Sequence, residues 1–403
     1  MFIFINFIIF LWVFILSIIN LSIFNNYFIS FIYISINILI YYLFIEEFLK
    51  NNNFLKIGEI MFIIFLCVLP IFIIININNI FWAIFLLEIQ TFLVFGSNVL
   101  FKGKNYIKNL EASLIYLTPA FISFILLLIS IILISWNKKL LNISNFFISL
   151  SLIIKIGSIP FNFWVNQVFK NLTFNSIILL ALINKLTIII LFNQYLIHLW
   201  NIFLLIGLFS IIFGSLMIIN TIFIKDLIAF SSIINSGWII ILLNINNDYN
   251  YLTYENLLGF FFFVYIIGLL LFFQTSKKKE LIFNLKYSKI LFKYYNIKNI
   301  WLNISLLSLA GIPPLAGFIT KFMILIKFIV HYGILLNFLI IIYSIIVIFA
   351  YIRPLINIFF NYSSKIIFSY NNFNWNFNKL YSIIISSFLF YFIFFITIIF
   401  LIV

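Results

Sequence analysis

Residues 174–197 read FNSIILLALINKLTIIILFNQYLI, an apolar run with Lys185 at its centre. The run is long enough to cross a bilayer's hydrocarbon core. It shows no period-2 alternation, so it predicts a transmembrane helix and not a barrel strand. A charge at the centre of such a helix costs roughly 2.5–3.5 kcal/mol on insertion scales. Lys185 lies too far in for its side chain to reach the interface. A residue kept at that cost faces a hydrated cavity or a partner, and marks an ion or proton route.

Similar runs recur on both sides. Of the 403 residues, 66% are hydrophobic and 8% charged, against roughly 25% charged in a soluble domain. The runs predict about thirteen spans, at 2–24, 27–49, 58–77, 80–101, 111–135, 144–167, 174–197, 200–220, 223–245, 253–274, 300–328, 333–360 and 380–402. The first has neither a basic n-region nor a small-residue cleavage site, so it is expected to be a retained helix rather than a signal peptide. Phe, Ile, Asn, Lys and Tyr are abundant and Arg353 is the one arginine, which is the residue usage of an AT-rich gene.

The net charge of +14 does not point to nucleic acid, because the cations sit between apolar runs and not on a soluble face. Their distribution sets the topology instead. Connectors after even-numbered spans carry Lys50, Lys56, Lys102, Lys104, Lys108, Lys170, Lys225, seven lysines between Ser276 and Lys298, Arg353, Lys365 and Lys379. Connectors after odd-numbered spans carry only Lys138 and Lys139. The positive-inside rule therefore places the even connectors and the N-terminus on the matrix or cytoplasmic side, and the C-terminus on the other.

Apart from Lys225 and Arg353, which the span bounds enclose but which are counted with the adjoining connectors, four basic residues fall inside spans: Lys155, Lys185, Lys321 and Lys327. Lys327 is near a span end and reads as a snorkelling side chain. His198 and His331 also sit at span ends. Glu88 is the one acid near a span centre. Glu88, Lys155, Lys185 and Lys321 are thus the candidate proton-carrying residues. Desolvation disfavours an ammonium and a nearby carboxylate restores it, so moving the partner switches a buried lysine between two charge states. Cys67 is alone and supports neither a disulfide nor a metal framework. No cysteine cluster, paired mid-span histidine or Gly-rich dinucleotide loop is present, so no cofactor and no metal is expected.

Two spans carry helix breakers: Gly157 and Pro160 in LIIKIGSIPFNFWVNQVF, and Pro313 and Pro314 in LSLAGIPPLAGFITKFMIL. Proline inside a span frees a backbone acceptor, which is tolerated only where protein or water re-satisfies it. Interrupted helices in corresponding halves point to a transport site. The two lie five spans apart, and an odd offset inverts orientation in the membrane. The expected fold is therefore all-α: a polytopic transmembrane bundle of two five-helix inverted repeats, each with one discontinuous helix. Residues 1–57 would supply two N-terminal helices, 58–360 the antiporter-like core, and 361–403 a loop and last helix.

Five segments carry a family resemblance: LLEIQTFLVF, LEASLIYLTPAF, KIGSIPFNFWV, IKDLIAFSSIINSGWIII and SLAGIPPLAGFITKF. From about Glu59 onward the chain resembles the NADH–ubiquinone oxidoreductase chain 2 family, the smallest antiporter-like subunits of mitochondrial complex I. The resemblance implies a proton path along the membrane midplane, with Glu88, Lys155, Lys185 and Lys321 at its motif positions. It implies no redox chemistry in this chain. The partners implied are other membrane-arm subunits, including the antiporter-like ones, the long lateral helix of the largest of them, and lipid. The location implied is the mitochondrial inner membrane. Asn184–Lys185 and the short tail after Lys321 favour chain 2 over its larger relatives. Thirteen spans suggest that the first helix of bacterial members is missing. Three departures stand out. Asn162 and Asn166 replace a histidine and an acid, Lys170–Asn175 replaces a Pro-rich turn, and Lys225–Asp226 replaces a basic pair. A free-standing Mrp-type sodium/proton antiporter would use the same fold and the same lysines.

Overall fold

A computed structural model describes residues 32–36, 38–40, 42–43, 54–77, 79–100, 106–136, 141–195, 201–245, 254–276, 297–313 and 315–359. The regular elements among them are helices. They are α1 (Phe54–Asn76), α2 (Ile80–Leu100), α3 (Tyr106–Trp136), α4 (Leu141–Ile156), α5 (Phe163–Asn171), α6 (Phe174–Ile178), a π-helical stretch (Leu179–Ile183), α7 (Asn184–Tyr195), α8 (Asn201–Ile219), α9 (Ile224–Leu243), α10 (Tyr254–Ser276), α11 (Ile297–Ala310), α12 (Ala316–Tyr332) and α13 (Ile334–Phe359).

Seven helical segments among the described residues are long and apolar enough to cross a membrane, and two shorter apolar helices accompany them. The spans expected at 2–24 and 380–402 lie outside the described residues, as do most of the connector 276–298 and the loop after 360. The run read as one span at 144–167 is α4 and α5 with a break between them, and 300–328 is α11 and α12. Several cations placed in connectors stand in helices instead: Lys108 in α3, Lys170 in α5, Lys225 in α9, Lys298 in α11 and Arg353 in α13. Hydropathy marks only the apolar part of a helix, while the backbone bonding continues into the interface.

Inside these helices the hydroxyls fold back on their own turns. Ser97, Ser123, Ser130, Ser151, Ser232 and Ser236 each donate to the carbonyl three residues earlier. That satisfies a polar group where no water competes. Pro119 lacks an N–H, so the Ile115 carbonyl one turn back accepts the Thr118 hydroxyl at 2.9 Å instead.

The chain forms two compact units. In the first, α7 packs against α1, α2 and α4, and α3 packs against α2, α4 and α5. Residues 174–192 are all buried in protein, whereas only 22% of the most apolar stretch of α3 is. The lysine-bearing run is therefore core, and α3 turns an apolar face outward. In the second unit, α11, α12 and α13 pack on one another.

Candidate proton-carrying site

The first break forms because α4 cannot continue through Gly157. That residue has φ 77°, a left-handed conformation that suits glycine. Its N–H bonds the Ile153 and Ile154 carbonyls at 3.2 Å, closing the last turn. A Cβ there would collide with the Val165 side chain on α5. Pro160 follows, with a cis Ile159–Pro160 bond, and α5 starts three residues on. The second break repeats the device. Gly311 has φ 85°, and its N–H bonds the Leu307 and Ser308 carbonyls at 3.1 Å. Pro313 lies in the turn that follows, and Pro314 is outside the described residues. Both interruptions expected from the sequence are therefore present.

The break leaves Lys155 in the last turn of α4, buried, with its Nζ 2.6 Å from Glu88 Oε1 on α2. The other carboxylate oxygen accepts the Thr91 hydroxyl at 3.3 Å. Acid and base are both removed from water, so each depends on the other. Removing one partner of such a pair strands a buried charge.

Lys185 is buried on α7 and donates to the Ser232 carbonyl of α9 at 2.7 Å. A carbonyl accepts from an ammonium and from an amine alike, so this anchor persists through a protonation cycle. The π-helical stretch ends immediately before Asn184. A π-bulge inserts a residue and re-aims the side chains beyond it. Gln90, two residues beyond Glu88, donates to Ile183 at the end of that stretch at 3.4 Å. The helix of Glu88 thus touches the turn that bears Lys185.

Lys321 belongs to the second unit and is half-buried. Its Nζ donates to the Leu309 and Ala310 carbonyls at 3.2 and 2.9 Å. These are carbonyls that the end of α11 leaves without helical partners, at the negative end of its dipole. Gly317 lets α12 approach closely enough, for a Cβ there would meet the Ser308 carbonyl oxygen. Lys327 is half-buried on α12, which continues five residues past it to Tyr332.

Sequence reading passed over two groups. Tyr116, buried on α3, accepts a 2.6 Å hydrogen bond from Asn184 Nδ2. Neither residue bears a charge, so neither carries an insertion cost that would flag it. The second group joins α5 to α9. Lys170 Nζ lies 3.5 Å from Asp226 Oδ2, and Lys225 donates to the Lys170 carbonyl at 3.3 Å and to that of Leu172. The unusual Lys225–Asp226 pair was the available signal.

These features define a class: a polytopic, antiporter-like membrane protein with two interrupted helices and ionisable groups buried beside the breaks. Residues 78–349 match the family described as NADH:quinone oxidoreductase/Mrp antiporter, transmembrane. NADH-ubiquinone oxidoreductase chain 2 of Anopheles gambiae is 32% identical over 288 residues, 68% of this chain and 80% of that protein. Its namesake from Rhipicephalus sanguineus is 30% identical over 304 residues, 74% and 88% of the two chains. A chain in the structure of respiratory complex I from Thermus thermophilus with bound aureothin shares the fold. Its TM-score is 0.73 at 16% identity, covering 91% of this chain and 83% of that one. A chain of the Mrp complex from Dietzia sp. DQ12-45-1b has TM-score 0.68 at 14% identity, covering 83% and 66%. The chain belongs to the NADH:quinone oxidoreductase/Mrp antiporter family, among its NADH-ubiquinone oxidoreductase chain 2 members.

Proposed function

We propose that this chain is a core membrane-arm subunit of respiratory complex I in the mitochondrial inner membrane. It translocates protons while other subunits pass electrons from NADH to ubiquinone. The observation that carries the reading is the buried Glu88–Lys155 pair, 2.6 Å apart beside a helix break. In the proposed cycle, movement of Glu88 relative to Lys155 changes the charge state of Lys155. A proton then passes toward Lys185 and on to Lys321. Each step needs a coupling of a pKa unit or two, about 1.4 kcal/mol per unit.

The proton-translocating core is assigned to residues 58–360. The connector charges support an N-terminus on the matrix side and a C-terminus on the intermembrane-space side. The proposed neighbours are the other membrane-arm subunits, including the lateral helix of the largest antiporter-like one, and lipid against the outward apolar face of α3. Taken together the assembly is a proton-translocating NADH:ubiquinone reductase.

The likeness to an Mrp chain favours a second reading, a cation/proton antiporter outside complex I. Native gel electrophoresis of detergent-solubilised inner membranes separates the two. Co-migration of this chain with NADH dehydrogenase activity in a large complex is expected. Migration in an assembly without that activity overturns the complex I reading and leaves the antiporter.

A further inference from the structure

Thr91 stands one helical turn beyond Glu88 on α2, so the two side chains share a face. Glu88, Thr91 and Lys155 are all buried. The Thr91 hydroxyl has one hydrogen and two acceptors in reach, both belonging to Glu88. The backbone carbonyl lies at 2.8 Å and the carboxylate oxygen Oε2 at 3.3 Å. A helical threonine commonly donates to the carbonyl one turn back, and the shorter distance places the hydrogen there. The carboxylate is the second choice while Lys155 holds Oε1 at 2.6 Å.

That order reverses when Lys155 withdraws. The carboxylate is then a buried charge without its main donor, a costly state in a low-dielectric interior. Among the described residues, Thr91 is the other donor in contact with it. The Glu88 carbonyl loses little when the hydroxyl leaves, because α2 runs on to Leu100 and supplies the helical N–H four residues ahead. A hydrogen bond to a carboxylate is roughly twice as strong as one between neutral groups. Rotation of one hydroxyl, with no movement of the helix, carries the hydrogen from one acceptor to the other.

We propose that Thr91 is a positioning residue for proton translocation: its hydroxyl swings from the Glu88 carbonyl to the Glu88 carboxylate as Lys155 withdraws, and so lets the buried pair open. No proton leaves Thr91, and only its hydrogen bond changes acceptor. The role in pumping rests on the reading of this chain as proton-translocating. The change of acceptor does not.

The test has two arms. Thr91→Val keeps the branched shape and removes the hydroxyl, whereas Thr91→Ser keeps the hydroxyl and removes the methyl group. In inner-membrane vesicles, NADH-driven pumping per assembled complex should fall roughly tenfold in Thr91→Val, the effect of losing one hydrogen bond to a charged group. It should return to near wild type in Thr91→Ser. Wild-type pumping by Thr91→Val overturns the proposal, and so does an equal loss in both variants, which marks packing by the methyl group. The second arm takes the ammonium away for good with Lys155→Met, and reads the amount of assembled complex on native gels. Thr91 is then the remaining donor to Glu88. Adding Thr91→Val should lower assembly roughly tenfold further, while Thr91→Val in the wild-type background should lower it little. An equal loss in the two backgrounds shows a hydroxyl that serves only the backbone, and overturns the proposal. If Lys155→Met alone yields no complex, the first arm decides. The second arm needs no pumping, so it separates this proposal from the functional reading. If it holds while Lys185→Ala pumps normally, the proton path falls and the change of acceptor stands.

Discussion

Lys170, in the last turn of α5, faces Asp226, in the first turn of α9, at 3.5 Å. Each stands at the helix end that favours its charge, a cation at a C-terminus and an anion at an N-terminus. Lys225 adds a second tie by donating to carbonyls at the end of α5. The same use of a cation recurs twice. Lys321 caps α11, and Arg353 donates to the Ile219 carbonyl at the end of α8 at 2.6 Å. In a membrane protein such carbonyls have few alternatives, which gives these cations a structural duty.

This tie holds the second half of a broken helix. Asp226→Lys should lower the thermal stability of the purified complex, by about 1 kcal/mol in this subunit. The exchange Lys170→Asp with Asp226→Lys should recover part of the loss. It restores the pair but leaves each charge at the unfavourable end of its helix. Thermal unfolding in detergent measures this, and an exchange variant no more stable than Asp226→Lys would refute the tie.

The Glu88–Lys155 pair makes a different prediction, because both groups are buried. Glu88→Gln leaves the Lys155 ammonium without its carboxylate, and breaking a buried pair costs about 3–5 kcal/mol. The amount of assembled complex should fall. Glu88→Gln with Lys155→Gln puts two amides where the ions were, and assembly should return while pumping does not. Quantitative immunoblots of native gels, paired with pumping assays, measure both. Pumping restored by the double substitution would remove the pair from the mechanism.

The approach of α12 to α11 depends on Gly317 lying against the Ser308 backbone. Gly317→Ala forces the two helices apart, at about 1–3 kcal/mol of overpacking. Lys321 should lose its hold on the Leu309 and Ala310 carbonyls, so pumping should fall even in the complex that assembles. Normal pumping per assembled complex would show that this anchorage is dispensable.

The residues legible in the sequence were those whose cost is local. A lysine or glutamate half-way along an apolar run is expensive whatever packs around it, so Glu88, Lys155, Lys185 and Lys321 emerge from span position alone. Gly157 with Pro160, and Pro313 with Pro314, mark the breaks for the same reason, since backbone geometry is a local property. That Glu88 meets Lys155 was open, because a pair 67 residues apart is set by how α2 and α4 pack. Tyr116 and Asn184, 68 residues apart, were illegible. Uncharged polar groups are cheap enough to occur throughout an Asn- and Tyr-rich chain. Asp226 stood beside Lys225 as an irregularity in a motif, and only the fold shows that its partner is Lys170. Lys108, Lys170, Lys225 and Arg353 were assigned to connectors, yet the helices run on past the apolar stretch to include them.

The central claim is that a lysine buried in the first unit carries the translocated proton. The most direct measurement is the number of protons pumped per NADH oxidised by assembled complex carrying Lys185→Ala. The account predicts normal assembly, with pumping and coupled NADH oxidation both sharply reduced. Full pumping by the assembled variant would contradict it.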